Sequence, residues 1–317
     1  MTVSSEKSPR IAVAGHLVYD EIVFPNGTAT SAFGGITYNL AAMCAIMTEG
    51  RLFPVCEIGS DRREAFDKYF GNLKILDDSF VKHTDKPTVV NRLVYDRSGE
   101  RKEWNSRIPG HLSLEILPDL ADCALLNFIS GDDFNPDDLN RFRDSFDGII
   151  YMDYHSLSLG RSPDGSRFFR KHPQWRDYVA VADILQLNLT EISTIHNTRG
   201  SDPKSVAESC EGIHDSGPDT IIVTMGENGI VVSANSGGDR FHIPAVRIEN
   251  EVDATGCGDT LAAVTLYHYL KTDDILKSLK AGSLWAAAKA TFSGLDGFAD
   301  IEKIASRIES NIDPIIL

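Results

Sequence analysis

From Leu125 onward short apolar runs alternate with helix-length segments, and this alternation narrows the fold more than any other feature of the chain. The runs Leu125–Ile129, Ile149–Asp153, Ile184–Leu187 and Ile221–Met225 have strand length, whereas Pro136–Phe146 and Val206–His214 have helix length. Such a pattern predicts βαβ units and a parallel sheet. Crossovers of that kind are nearly always right-handed and leave ligand sites at the carboxyl ends of the strands. A chain of 317 residues suits one large α/β domain with an appended lid.

Charge and cysteine content exclude several classes. With 31 basic against 46 acidic residues, the net charge of −15 opposes nucleic acid or an anionic membrane surface as the main partner. Cys44, Cys56, Cys123, Cys210 and Cys257 are scattered, with no Cys-x-x-Cys spacing for zinc or a redox pair. Met1–Arg10 is polar rather than signal-like, and no apolar run has the length of a membrane span. A cytoplasmic protein with reduced thiols is expected, and Asn26-Gly-Thr28 and Asn188-Leu-Thr190 read as chance sequons.

In the N-terminal third, Ile11–Ala14 is a β-favouring run ending at Gly15, and Leu17–Phe24 is a second one. Two strands or one bent strand fit equally. Asp20 interrupts the second patch, where a lone acid ordinarily lies on a solvated face. Pro25–Ser31 is turn-rich, and Gly34-Gly35 then leads into an apolar helix carrying Asn39; this pair is either a plain connector or a close approach of backbone to a ligand. Leu52–Ile58 followed by Arg63–Phe70 makes a strand-to-helix unit. Thr88–Tyr95 alternates its side chains ahead of an Asp96–Gly99 turn and Glu100–Trp104, which predicts a hairpin. Arg92, Arg97, Arg101, Lys102 and Arg107 make it locally basic, as a solvated sheet edge would be.

The stretch Val252–Ala263 packs Asp253, Gly256, Gly258 and Asp259 into a turn before an apolar helix over Thr260–Tyr269. A Gly-x-Gly turn that opens a helix presents free backbone N–H groups and the positive end of the helix dipole, and so favours an anion. An aspartate is out of place there unless it takes a proton from a hydroxyl reacting beside that anion, or merely caps the helix. The dinucleotide pattern fails because Leu261 stands in place of the third glycine, and the Walker pattern fails for want of any Gly-Lys pair. Upstream, Asn188-Leu-Thr-Glu191 has the form of a helix start with Asn capping. Ile221–Met225 with Gly226-Glu-Asn-Gly229 reads as strand–turn–strand. Thr272–Asp274 caps an Ala-rich helix that ends near Phe292, with Gly294 as its stop.

The string Asp253-x-Thr255-Gly256-x-Gly258-Asp259-Thr260 closely resembles the C-terminal signature of the PfkB/ribokinase family of carbohydrate kinases. Gly34-Gly35 with Asn39 resembles the N-terminal signature of that family, and Asn188 with Glu191 its magnesium and phosphate motif. The resemblance runs from about Ile11 to Gly294. It implies an α/β, ribokinase-like three-layer fold, with a central mostly parallel sheet flanked by helices and a small β lid formed from about 17–33 and 86–107. It further implies an ATP-dependent kinase acting on a hydroxymethyl group of a sugar or related polyol. On that reading Asp259 is the general base, and the amides of Ala254, Thr255, Gly256, Cys257 and Gly258 form the anion hole. Asp20, Gly34, Gly35 and Asn39 hold the substrate, and Asn188, Thr224, Gly226 and Gly229 border ATP. Glu191 orders Mg²⁺ through water. A monovalent cation and a homodimer through the lid are left open.

Three departures from the family pattern stand out. Cys257 replaces the usual Ala, His16 replaces a small residue, and Asp153-Tyr-His155 replaces the Asp-x-Asn-x-Arg of some sugar-acid kinases, which disfavours that specificity. A catalytically silent sugar-binding or regulatory paralogue is the alternative of another class, and a nucleoside or vitamin kinase the alternative within enzymes. Cys257, next to a helix N-terminus, is either a small buried residue of ordinary reactivity or an unusually reactive thiol.

Overall fold

The computed structural model describes residues 8–97, 101–196, 200–234, 238–308 and 312–317. Residues 98 and 99 of the expected Asp96–Gly99 turn, and most of the polar N-terminal segment, lie outside them.

The alternation seen in the sequence builds a ten-stranded sheet. Arg10–Ala14 lies between Arg51–Gly59 and Cys123–Asn127, followed outward by Ile149–Asp153, Ile184–Asn188 and Thr220–Thr224, all parallel. Val81–Thr84 extends one edge in parallel. At the other edge Ile230–Ala234, Arg240–Ile243 and Ile315–Ile316 run antiparallel. Successive side chains of a strand point to opposite faces. Accordingly Ile11 and Val13 enter one core, under the helices Thr37–Ile46, Cys257–Thr272 and Ile275–Ala290. Ala12 and Ala14 enter the other, under Pro136–Ser145, Trp175–Val179 and Pro203–His214. Two cores on one sheet make the three-layer, ribokinase-like architecture.

Ile11–Ala14 and Leu17–Phe24 resolve into two strands in different sheets. Leu17–Val23 leaves the main sheet after Gly15, where a Cβ would stand 2.4 Å from the Asn127 carbonyl oxygen. It forms a small sheet with Ala29–Gly35, Val89–Tyr95 and Arg101–Asn105. Two local expectations need correction. The segment read as turn-rich to Ser31 turns only until Thr28, whose N–H and hydroxyl both bond to Asn26 Oδ1, and is a strand from Ala29. The helix expected from Thr260 begins three residues earlier, at Cys257.

Asn127, Asp153, Asn188 and Thr224 are each the last residue of a parallel strand. The helix Cys257–Thr272 starts opposite those ends, and Asp153, Asn188 and Thr224 line one cavity with its Asp259.

Candidate active site

The loop before that helix is shaped by its own residues. Gly256 takes φ +82 as the N-cap, and a Cβ there would stand 2.4 Å from the Tyr38 ring, so both its conformation and its closeness to Tyr38 exclude a side chain. Asp253 folds back on the loop, accepting the Thr255 N–H at 2.9 Å and the Ser293 hydroxyl at 2.9 Å. Burial alone would raise the Asp253 pKa, but these bonds and the Lys289 charge bring it below its ordinary value. The Cys257 N–H bonds to the Ala254 carbonyl at 3.2 Å. Of the five amides expected in the anion hole, those of Thr255 and Cys257 are therefore engaged within the loop. Gly258, in the first helical turn, has no earlier carbonyl of the helix to bond to.

Asp259 follows in the same turn and opens on a cavity of about 390 Å³. Its carboxylate accepts Asn127 Nδ2 at 2.6 Å, and its backbone carbonyl accepts Asn39 Nδ2 at 2.9 Å. Loss of water around the carboxylate raises its pKa to about 6, opposed by the Asn127 bond and the Lys289 charge. Asn39, expected at the substrate, is fully buried behind Asp259, where its Oδ1 also accepts Asn127 Nδ2 at 2.9 Å. It orients the acid and its partner rather than facing the cavity.

On the opposite wall Asp20 is buried, not on a solvated face, and accepts Asn91 Nδ2 at 3.1 Å. A Cβ on Gly34 would fall 2.0 Å from Asp20 Oδ2, so this glycine makes room for the carboxylate. Gly35 lines the cavity at φ +63, where a Cβ would meet the His16 carbonyl at 2.3 Å. Val18, Asn91, Leu93 and Tyr95 of the small sheet line the same wall.

Gln186, which the sequence reading passed over, lines the same cavity. Gln186 Nε2 donates to Asp153 Oδ2 at 3.0 Å and to the Gly258 carbonyl at 3.2 Å, and its Oε1 accepts the Tyr151 hydroxyl at 2.7 Å. Burial, then the charges of Glu191 and Asp259, hold Asp153 well above the usual carboxylate range. Asn127, Tyr151 and Gln186 share a signal available in the sequence: each is a polar group in an otherwise apolar buried strand, which demands a partner.

Asn188 and Glu191 form a reciprocal capping box. Asn188 Oδ1 accepts the Glu191 N–H at 2.9 Å, while the Glu191 carboxylate accepts the Asn188 N–H at 2.8 Å and Nδ2 at 2.6 Å. Both residues line the first cavity. A second cavity, of about 800 Å³, adjoins the first through Thr224, Ala254 and Gly258. Gly226 and Gly229 line it, with Val246, Ile248, Ala286, Ala287 and Ala290 as apolar walls. Gly229 is required by the fold, since at φ +86 a Cβ would stand 2.2 Å from the Ile243 carbonyl.

Cys257 also lines this cavity, where its surroundings favour the protonated thiol. Burial pushes its pKa up to about 12, with Lys289 opposing and Asp253, Glu251 and Asp259 adding to the rise. Among the described residues no group of three or more His, Cys, Asp or Glu is placed to hold a metal ion, and no helix is long and apolar enough to cross a membrane.

Comparison with known proteins places this geometry. Residues 160–300 match the family model described as pfkB family carbohydrate kinase. Deoxyribokinases of Salmonella typhi and Salmonella typhimurium are 25% identical over 163 residues, covering 50% of this chain and 52% of theirs. The chain thus spans about half the length of the curated relatives it matches. Among solved structures, a pyrophosphate-dependent kinase in the ribokinase family aligns with a TM-score of 0.76 at 18% identity, over 90% of this chain and 96% of its own. Ribokinase from Arabidopsis thaliana, complexed with ribose and ATP, aligns with a TM-score of 0.72 at 16% identity, over 94% and 99%. Both of these structural neighbours are kinases of ribokinase type, and the fold of this chain is theirs.

Proposed function

We propose that this chain is an ATP-dependent kinase of the pfkB family that phosphorylates a hydroxymethyl group of a sugar or related polyol. The observation that carries this reading is the junction of the two cavities at the loop Ala254–Gly258, with Asp259 on the side of the smaller one. A phosphoryl group passing between two ligands needs such a junction, with amide donors at the point of transfer and a base beside the acceptor.

The smaller cavity takes the acceptor. Asp20 and Asn91 meet its hydroxyls, and Asp259 accepts the proton of the one that attacks. A pKa of about 6 leaves Asp259 mostly ionised at neutral pH while making it a stronger base than an ordinary aspartate. Asn127 keeps the carboxylate aimed, and Asn39 fixes the backbone from which it projects. Gly258, at the helix start, offers its amide to the transferring group.

The larger cavity takes the nucleotide. Its wall is rich in alanine and apolar, as suits a purine, and its volume exceeds what a bare pyrophosphate would fill, which supports ATP as donor. Thr224, which lines both cavities, and Gly226, which lines the larger, would flank the phosphates. Mg²⁺ bound with the nucleotide would neutralise phosphate charge among these carboxylates. Glu191 fits a water-mediated role toward it, because Asn188 already engages both carboxylate oxygens. The small sheet serves as the lid over the acceptor, and its outer face as the surface for a homodimer; a cytoplasmic location follows from the same reading.

A coupled ADP-release screen over sugars, nucleosides and sugar phosphates tests the proposal, beginning with pentoses, which the deoxyribokinase relatives favour. ATP binding without turnover on any acceptor would point to a silent, sugar-binding paralogue.

A further inference from the structure

Lys289 makes no direct contact with the Asp259 carboxylate and acts on it only through its charge, yet it is fully buried beneath the loop that carries the chemistry. It lies in the last turn of the helix Ile275–Ala290, and its ammonium is met by carbonyl oxygens and ring faces rather than carboxylates. It donates to the carbonyls of Phe292 at 3.0 Å and Asp253 at 3.4 Å, and lies 5.3 Å from the Tyr38 ring centroid and 5.0 Å from that of Phe292. An ammonium enclosed in this way is costly unless its charge serves something. Carbonyl dipoles and aromatic faces are what a protein supplies to a bare monovalent cation.

The contacts bear on the loop at both ends. One carbonyl belongs to Asp253, where the loop begins. The Tyr38 ring is the surface against which Gly256, the N-cap, is packed. Asp253 is tied in addition to Ala290, one residue beyond the lysine, through its own N–H at 3.1 Å. We propose that Lys289 is a tethered monovalent cation, a positioning residue that fixes the Asp253–Gly256 loop and makes the protein independent of K⁺ or any other added monovalent ion. The effect on turnover rests on the kinase reading above; the effect on the loop does not.

The test compares wild type, Lys289→Ala and Lys289→Met in choline chloride, KCl and methylammonium chloride, following ADP release and the thermal midpoint. Wild type should vary by less than twofold in turnover and show no ion-specific rise in midpoint. Lys289→Ala, which opens a space, should lose at least tenfold in choline and regain turnover and midpoint saturably with methylammonium or K⁺. Lys289→Met, which refills the space, should lose activity and respond to neither ion. A merely structural lysine would not be replaced by a dissolved cation. The inference is overturned if wild type gains severalfold from K⁺, if Lys289→Met retains full turnover, or if folded Lys289→Ala responds to no small cation. Should Lys289→Ala fail to fold in every salt, a Lys289→Met variant with wild-type turnover at pH 9, where the base is ionised regardless, overturns the inference, and one still impaired at pH 9 supports it. If wild type turns over no acceptor, the kinase reading fails by itself, and the midpoints of Lys289→Ala in the three salts still decide the cation.

Discussion

Replacing Asn127 should move the acid limb of the pH–rate profile, because its amide donates directly to the Asp259 carboxylate. That bond, at 2.6 Å, favours the ionised form and opposes the rise caused by burial. A hydrogen bond to a charged group is worth ~1.5–3 kcal/mol, and 1.36 kcal/mol corresponds to one pH unit, so its loss should raise the Asp259 pKa by ~1–2. From about 6, the value becomes roughly 7–8. At pH 7 the ionised fraction would fall from roughly nine tenths to between roughly a half and a tenth. Asn127→Leu, close in volume and unable to donate, is the variant to use. The assay is kcat/KM against pH from 5 to 9, which reports groups of the free enzyme. Turnover of the variant should drop at pH 7 and recover to within a few-fold of wild type near pH 9. A uniform loss at every pH, with the acid limb unmoved, would refute the reasoning and reduce Asn127 to a packing residue.

Two further outcomes are expected. Gly34→Ala places a methyl 2.0 Å from Asp20 Oδ2, so KM for the acceptor should rise at least tenfold while KM for ATP stays within twofold; equal changes in both would show that the acceptor wall is elsewhere. Cys257, its thiol held at about 12 by burial, should react with iodoacetamide at pH 8 no faster than an unperturbed thiol of pKa about 8.5, and faster labelling, read by mass spectrometry, would contradict the burial.

Much of the fold was legible because burial on both faces of a parallel sheet leaves unbroken apolar runs. Ile149–Asp153 and Arg63–Phe70 coincide with their expected bounds. The strand Ala29–Gly35 did not show because only Phe33 and Gly34 within it are buried, leaving Thr30 and Ser31 to read as turn residues. Of the site, the residues on signature loops could be named from spacing. Asn127, Tyr151 and Gln186 could not, because their partners come from strands and helices far apart in sequence and meet only once the fold is assembled. Asn39 was recognisable as a site residue, but whether its side chain faced the ligand or the acid depended on the packing of two helices. Lys289 was hidden by its surroundings, since an Ala-rich helix reads as core and a lysine at its end as an ordinary partner of the helix dipole.

The general-base role of Asp259 is the centre of this account, and Asp259→Asn tests it. Asparagine keeps the size and the capacity to bond but cannot accept the hydroxyl proton, so turnover should fall by ~10²–10⁴-fold. Folding should not suffer. The folded pKa of about 6 lies above the ordinary 3.8, so ionising Asp259 costs stability, fully above pH 6 and not at all below 3.8. The variant should therefore be more stable than wild type at pH 7–8, by at most about 3 kcal/mol, and lose that advantage as pH falls. Measured on the best acceptor of the screen, a folded Asp259→Asn protein that binds ATP as tightly as wild type but turns over at least a hundredfold more slowly is the predicted result; turnover within a few-fold of wild type would contradict it.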